Sequence, residues 1–269
     1  MPPVWLAPLL GALVGLVLAL TGAGGAIIAV PLLVFGLHLS LAQAGPVGLL
    51  AVAIAAAVGA VLGWRMRVLR YKAAALMAAT GAVTSPLGLW LAQRVPNRPL
   101  TALFAAVLAI VAVRMLVQSW REQHGVTRNA ATAPPCRLNP AVGRLQWNAA
   151  CARALMLAGA AAGFLSGLLG VGGGFILVPT LLAVSDLPMK AVVATSMGVL
   201  ALVSAVGVFN ASLAGHMEWQ VGWPFAGGAL AGLLVGRQFA ARLAGPRLQQ
   251  GFALLLLGIA SSLLVKAAS

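Results

Sequence analysis

This sequence contains very little charge. Only 7% of its 269 residues are charged, whereas 62% are hydrophobic. An ordinary soluble domain carries about a quarter charged residues. A water-soluble surface cannot be assembled from this composition, which excludes the class of ordinary soluble proteins.

The missing charge leaves long apolar runs. Residues 1–64 contain no Lys, Arg, Asp or Glu, and the later charge-free runs are 73–93, 154–185, 191–217, 219–236 and 248–265. A helix of about 20 apolar residues crosses a bilayer, and these runs are apolar all round instead of amphipathic. We therefore predict an all-α polytopic membrane protein, embedded in a lipid bilayer, with about ten apolar segments.

Acids, histidines and cysteines are scarce as well. The chain has three acids, three histidines and two cysteines, and the acids, Glu122, Asp186 and Glu218, fall in or beside predicted loops. No carboxylate is therefore placed at membrane depth to carry a proton or bind Na⁺, and no spacing typical of a metal site occurs. We predict no catalytic residue, no metal and no cofactor, and a protein that is not an enzyme.

Basic residues outnumber acids by 17 to three, which makes the formal net charge +14. In a soluble chain that charge would indicate a nucleic-acid partner. Here the basic residues cluster between the apolar runs, chiefly at 65–72, within 121–153 and at 237–247. Membrane proteins retain positive loops on the cytoplasmic side, so we predict no nucleic-acid partner.

The two halves of the chain resemble each other. At a displacement of 148 positions, Gly22, Gly24, Gly25 and Pro31 recur as Gly170, Gly172, Gly173 and Pro179. Because a block and its proline recur in one register, we predict two transmembrane repeats of about five segments each, 1–118 and 150–269. The stretch 119–149 between them contains charges and prolines, and it is predicted to be a linker.

An odd number of crossings in each half would invert the second repeat relative to the first. If the loop at 65–72 lies in the cytoplasm, the linker does too, both termini lie outside, and 14 of the 17 basic residues fall on the cytoplasmic side. The three left outside are Arg94, Arg98 and Lys266. This bias supports inverted-topology repeats. Because the cytoplasm keeps thiols reduced, we expect no disulfide between Cys136 and Cys151.

The charge-free run 154–185 has an intermediate length. Its 32 residues exceed one simple span and fall short of two spans of about 20 residues each. Glycines divide the run and Pro179 follows them, so we predict two short helices joined by extended backbone at membrane depth. Matching glycines and Pro31 predict the same break in the first half. Such backbone is tolerated in a bilayer only where protein buries it or where it lines a wet cavity.

The two breaks predict a binding site between the repeats. Helix starts that face each other across a pseudo-twofold axis present unpaired N–H groups and positive dipole ends, which suit an anion. Glycine would let the ligand approach the backbone, and side chains of the following segment would add donors. The predicted substrate-binding residues are Thr21, Gly22, Gly24, Gly25, Pro31, Gly170, Gly172, Gly173, Gly174, Pro179, Thr195, Ser196 and Asn210.

One motif resembles a known family. Residues 163–174 read GFLSGLLGVGGG, and Pro179 and an Ala-Thr-Ser run at 194–196 follow. With these motifs the sequence resembles the TauE/SafE family of sulfite and organosulfur anion exporters over nearly its whole length. The resemblance implies a secondary transporter of the bacterial inner membrane that exports sulfite, thiosulfate or an organosulfonate. The first-half copy is looser, because residues 46–48 read Pro-Val-Gly near the place of the Ala-Thr-Ser run.

Plainer interpretations compete with this site. Glycines at four-residue spacing, such as Gly11 with Gly15, are typical of helix packing in membranes, and a membrane scaffold without transport would need nothing more. The hydroxyls of Thr195 and Ser196 could bond the carbonyl one turn back. An intramembrane enzyme or cofactor-handling protein is a further alternative, and it would need a nucleophile or an acid-base pair at membrane depth.

Overall fold

The computed structural model describes residues 5–22, 24–123, 135–139, 144–145, 147–215, 217–243 and 246–268. Within them the chain forms ten helices and one two-stranded antiparallel sheet. The helices are α1 (Leu6–Thr21), α2 (Gly24–Gly36), α3 (Leu41–Arg65), α4 (Tyr71–Arg94), α5 (Asn97–Gln123), α6 (Ala149–Leu169), α7 (Gly174–Val184), α8 (Met189–Leu213), α9 (Trp219–Leu243) and α10 (Pro246–Ala268). The predicted all-α polytopic architecture is confirmed.

The short sheet lies in the predicted linker. Strands β1 (Leu138–Asn139) and β2 (Arg144–Leu145) pair antiparallel. Residues 124–134, 140–143 and 146 of the predicted linker are outside the described part of the chain. Helix α5 continues past residue 118 to Gln123, into the stretch predicted to be the linker.

The hydrophobic core surrounds α3 and α8. Over the described residues, α3, α4, α5, α6 and α8 are long and apolar enough to cross a membrane. In α3 and α8, 61% of the most apolar stretch is buried inside the protein, against 28% in α5. Helices α3 and α8 are therefore central, and α5 is peripheral with a face available to lipid.

Tryptophans mark the ends of the helices. All seven are exposed, and each lies within four residues of a helix end. The rings of Trp219 and Trp223 stack with centroids 5.7 Å apart, and the Arg94 guanidinium lies 4.0 Å above the ring of Trp90. Tryptophan concentrates at membrane–water interfaces because its ring is amphipathic. The helix ends therefore have the chemistry of two interfacial layers.

The bundle has two ends. At the linker end, where α5 stops and α6 starts, the loop at 66–70 contacts Arg237 of α9 and Thr195 near the start of α8. At the opposite, far end, Gln43 in the first turn of α3 donates to Glu218 just before α9, at 3.1 Å. Helices α3 and α8 therefore start at opposite ends of the bundle.

Each half begins with a helical hairpin. In the first hairpin α2 folds back on α1, so that Gly25 lies against the Val14 carbonyl and Gly36 against the side chain of Leu10. In the second, α7 folds back on α6, and Gly173 lies against the Ala162 carbonyl. The predicted interruption of the helices at the glycines is confirmed, but the joining backbone reverses the chain in a tight turn and is not extended.

The lengths of the second hairpin's helices also differ from the prediction. Helix α6 has 21 residues and rises about 31 Å, enough to cross a bilayer core, whereas α7 has only 11. Three glycines in the left-handed conformation make the turn: Gly170, Gly172 and Gly173, with φ of 68°, 74° and 65°. Glycine adopts this conformation without the steric cost of a Cβ. Pro179 lies inside α7, which continues to Val184.

Contacts between the halves occur in reciprocal pairs. Gly22 lies against Val193 and Gly170 lies against Gly45, the same contact with 148 added to one partner and subtracted from the other. By the same rule, the contact of Gly15 with Ala229 corresponds to that of Gly163 with Gly81. The contact of Gly11 with Phe225 likewise corresponds to that of Gly159 with Met77. The contacts of Gly11, Gly15, Gly159 and Gly163 are with backbone atoms, and they confirm the helix-packing interpretation of the four-residue glycine spacing. The inverted orientation of the halves across a bilayer stays a prediction.

The expectation of unpaired cysteines is wrong for this structure. Cys136 and Cys151 form a disulfide, with their Cα atoms 4.8 Å apart. The backbone N–H of Cys136 donates to the Val184 carbonyl at 2.9 Å, which brings the end of the linker back to the second hairpin. The expectation rested on the redox state of a compartment, and the proximity of these residues depends on a fold that places α7 beside α6.

Candidate functional site

The second hairpin turn presents the start of a helix to its neighbours. Gly170 ends α6 by donating its N–H to the Ser166 carbonyl at 2.9 Å, and the Gly173 carbonyl accepts the N–H of Ile176 at 3.2 Å as α7 begins. The first N–H groups of a helix have no partner inside that helix, and they form the positive end of its dipole. The second turn can therefore offer donors to an anion.

Helix α8 passes directly beside this turn. A Cβ placed on Gly172 would lie 3.0 Å from Oγ of Ser204 and 3.2 Å from a Leu200 methyl, and Val52 of α3 would be 3.4 Å away. A Cβ on Gly174 would lie 2.7 Å from Leu200. Side chains at either position would occupy this space, so glycine allows Ser204 to lie close to the backbone of the turn.

Three buried serine hydroxyls in the second half have no hydrogen bond. Ser166, Ser196 and Ser204 are fully buried, and their Oγ atoms have no partner within the described chain. A buried polar group without a partner costs about 1–3 kcal/mol, and nearly all such groups in proteins are paired. Each of the three, on α6 and α8, therefore has hydrogen-bonding capacity that a ligand or a water molecule can use.

Several other hydroxyls of the bundle are paired. Thr80, Ser185 and Ser212 donate to the carbonyl one turn back, at 3.1, 2.6 and 2.8 Å, as hydroxyls in membrane helices commonly do. Ser196 and Ser204 share α8 with Ser212 and make no such bond. The alternative in which Ser196 bonds its own helix is therefore wrong.

Ser196 and Ser204 lie on the face of α8 that meets both hairpin turns. On this face Val193 packs against the first turn, and Leu200 packs against the second. Residues three and four positions apart are neighbours on a helix surface, so positions 193, 196, 200 and 204 form one stripe. The unpaired hydroxyls therefore flank the contact between α8 and the second turn.

Three predicted donors are engaged within the chain. Oγ1 of Thr195 accepts the backbone N–H of Arg70 at 3.2 Å, a contact that neither sequence interpretation contained. Asn210 and Thr21 donate to the carbonyl one turn back, at 2.9 and 2.8 Å. These bonds hold α8 to the loop after α3 and reinforce α8 and α1. Contact of these three side chains with substrate stays a prediction.

The predicted glycines and prolines of the first half form the first hairpin turn. Gly22 has φ of 75° and caps α1, Gly24 and Gly25 begin α2, and Pro31 lies buried inside α2. Gly22 would bring a Cβ within 2.7 Å of the Val193 side chain. The contacts of this turn are thus contacts of close packing.

The first turn lacks the hydroxyls of the second. Subtracting 148 from the positions of the three buried serines reaches Leu18, Gly48 and Ala56. Ser166 and Ser204 were not among the predicted site residues. A position-by-position comparison of the repeats would have found both, because each is polar where the other repeat is apolar.

The two turns are offset along the bundle. The first lies against Val193 near the start of α8, at the linker end, whereas the second lies against Gly45 near the start of α3, at the far end. Ile27 and Val171 still line one apolar crevice with residues of α5. The predicted meeting of two helix starts across a pseudo-twofold axis stays a prediction, and of the three unpaired hydroxyls that of Ser204 lies directly beside the second turn.

Metal-binding side chains do not converge anywhere in the described ranges. These residues contain no group of three or more His, Cys, Asp or Glu side chains that could hold an ion. Asp186 and Glu218 are exposed and lie between helices. The donors available around the second turn are hydroxyl and backbone N–H groups, which suit a ligand rich in hydrogen-bond acceptors.

Comparison with known proteins adds a family. The family model for "Sulfite exporter TauE/SafE" matches residues 7–263. A "Probable membrane transporter protein" of Xylella fastidiosa strain 9a5c is 28% identical over 255 residues, which cover 93% of this chain and 90% of the relative. The "Probable membrane transporter protein YunE" of Bacillus subtilis is 42% identical over 57 residues, 21% of each chain. No solved structure matches significantly.

These matches agree with the architecture. The family match spans both hairpins and nearly the whole chain, and the described helices include five that can cross a membrane. The relatives named as membrane transporters share this length. The protein is therefore a multi-pass membrane transporter, and the chain belongs to the TauE/SafE sulfite exporter family.

Proposed function

We propose that the chain exports a small sulfur-containing anion, such as sulfite, thiosulfate or an organosulfonate, through a site at the second hairpin turn. The observation that carries this proposal is the set of buried, unpaired hydroxyls at Ser166, Ser196 and Ser204. The family name and the relatives' names support transport of a small molecule.

The chemistry of the turn fits an oxyanion or a sulfonate. Such a ligand has several acceptor oxygens within a small volume, and it can accept hydrogen bonds from hydroxyls and from the first N–H groups of α7. Hydrogen bonds to a charged partner are worth about 1.5–3 kcal/mol each, roughly twice a neutral bond. Glycine at position 172 leaves the backbone within reach, with Oγ of Ser204 close to the place of its missing Cβ.

The substrate would cross the membrane as the two related hairpins alternate in conformation. We propose that the halves are inverted repeats, that the linker is cytoplasmic, and that both termini lie outside the bacterial inner membrane. The reciprocal contacts at a displacement of 148 and the distribution of basic residues support this arrangement. Inverted repeats commonly alternate access by rocking one element against another around a central site.

Direct flux measurement tests the function. Purified protein in proteoliposomes should transport sulfite, thiosulfate or sulfoacetate, and Ser204→Ala should lower the apparent affinity by about tenfold or more, because one hydrogen bond to a charged ligand is lost.

Ser212→Ala is the matched control. It removes a serine hydroxyl from the same helix, but that hydroxyl is already bonded to the Val208 carbonyl at 2.8 Å. Flux should therefore stay at the level of the unmodified protein. Equal flux for Ser204→Ala and Ser212→Ala would overturn the site. Absence of flux for every small anion would favour a membrane scaffold.

A further inference from the structure

The chain's two cysteines join two distant parts of the fold. Cys136 lies in the linker, just before β1, and Cys151 lies in the first turn of α6. They are the only cysteines in the sequence, both are fully buried, and they are bonded to each other. The function proposed above makes no use of this bond.

Backbone hydrogen bonds hold the same place together. The N–H of Cys136 donates to the Val184 carbonyl at 2.9 Å, and the N–H of Asp186 donates to the Cys136 carbonyl at 3.4 Å. Nδ2 of Asn148 donates to the Pro135 carbonyl at 3.1 Å. We call this arrangement, residues 135–136 bound to the start of α6 and the end of α7, the clasp. It closes the open end of the second hairpin.

The clasp ties the legs of the hairpin whose turn carries the proposed site. Without the disulfide, the three hydrogen bonds just described would still join the linker segment to the hairpin. With it, the linker segment is covalently attached to α6 and lies along the end of α7. Helices α6 and α7 can then separate at that end only if the two backbone hydrogen bonds of Cys136, with Val184 and with Asp186, break.

We propose that Cys136 and Cys151 form a reversible thiol–disulfide switch that restrains the second hairpin when it is oxidised. The positive linker places the pair on the cytoplasmic side, where thiols are normally reduced. Oxidation uses a low-molecular-weight disulfide such as oxidised glutathione. One cysteine thiolate attacks it and releases one glutathione thiolate; the second cysteine then displaces the other and forms the protein disulfide.

The effect on transport rests on the proposed function. If the hairpin must move against α8 during the transport cycle, the oxidised clasp slows that movement. We expect flux of the oxidised protein to be at least about fivefold below that of the reduced protein, the lower end of typical coupling between sites. Reduction with dithiothreitol should restore it.

A nicked chain tests the switch without any transport assay. A site-specific protease recognition sequence is inserted between Pro140 and Ala141, so that cleavage falls between the two cysteines. The cleaved halves of the oxidised protein stay joined on a non-reducing gel and separate after reduction. Protein taken from untreated cells and then cleaved should run as two separate halves on the non-reducing gel. Protein from cells treated with diamide, which oxidises cytoplasmic thiols, should stay joined. Joined halves from untreated cells would indicate a permanent structural disulfide and overturn the switch, as would halves that diamide never joins.

Flux of the double variant Cys136→Ser with Cys151→Ser completes the test. It should transport at the reduced protein's rate and ignore diamide. Equal flux of fully oxidised and fully reduced protein overturns control by the clasp and leaves the transport function standing. If neither form transports any tested anion, the transport function fails; control of flux then fails with it, while the nicked chain still decides whether the thiol pair is reversible.

Discussion

The two hairpin turns share their packing and differ in their chemistry. Each rests on a residue near the start of a central helix, Val193 for the first turn and Gly45 for the second. The first turn is surrounded by apolar residues at the positions where the second has Ser166 and Ser204. Duplication can thus preserve backbone contacts, which depend on small residues, while the buried serines at these positions occur in one copy alone.

The difference extends to the backbone. Among the described glycines of the hairpin turns, Gly22 is left-handed in the first, whereas Gly170, Gly172 and Gly173 are left-handed in the second. A turn in which right- and left-handed residues alternate can bring successive N–H groups to one side, where the main chain can bind an anion. Substitutions at matched positions of the two halves test whether this difference in chemistry and backbone matters.

The largest effect is expected at Gly173. In Gly173→Ala the left-handed conformation costs about 1–2 kcal/mol, and the new methyl meets the Ala162 carbonyl, which adds about 1–3 kcal/mol. The free energy of unfolding should fall by about 3 kcal/mol, measured by thermal unfolding in detergent. Gly25 is the matched position in the first half and has no positive φ, so Gly25→Ala should lower the free energy of unfolding by less.

Gly227→Ala is the control for Gly173→Ala, because no atom lies within 4 Å of a Cβ at that position in α9. It should unfold at or slightly above the temperature of the unmodified protein, since alanine favours helix over glycine. If Gly173→Ala and Gly227→Ala unfold at the same temperature, the tight reversal at the second turn is not required for the stability of the fold.

Ser204→Ala should separate function from stability. It should lower flux, and it should also raise the free energy of unfolding by about 1 kcal/mol, because it removes a buried hydroxyl that has no partner within the protein. Ala56→Ser, the reciprocal change at the matched position in α3, should lower stability by a similar amount and leave substrate affinity unchanged. Thermal unfolding and flux measured on the same preparations check both expectations, and a Ser204→Ala variant that is less stable would show that the hydroxyl has a structural partner.

Thr195→Val should have a moderate effect. It places at 195 the residue found at the matched position, Val47, and it removes the acceptor of the Arg70 N–H. Loss of one hydrogen bond lowers stability by about 1 kcal/mol. Thr195→Ser keeps the hydroxyl and should retain most of that energy, so equal unfolding temperatures for the valine and serine variants would argue against the bond.

The smallest effect is expected at Gly45. A Cβ there would lie 3.3 Å from Cα of Gly170, a mild crowding that the gain in helix propensity from glycine to alanine offsets. Gly45→Ala should therefore change the free energy of unfolding by less than about 0.5 kcal/mol. A larger loss, seen by thermal unfolding, would mean that the second turn tolerates even less crowding than its distances suggest.

Local features of the sequence predicted much of this molecule. Charge-free runs marked the membrane helices because lipid excludes charge regardless of tertiary contacts. Gly22 and Gly170 marked the ends of α1 and α6, since few other residues adopt a left-handed cap. Ser166 and Ser204 were missed, because whether a hydroxyl is paired depends on neighbours that the sequence does not identify.

Composition and spacing by themselves determined the membrane class, the helical segments and the register of 148 that relates the halves, because these depend on short stretches and their repetition. Only the tertiary structure decided that the glycine breaks reverse the chain, that the two turns are offset, and that Cys136 meets Cys151. Each of these rests on the packing of segments that are distant in sequence, where a few ångströms decide between contact and separation.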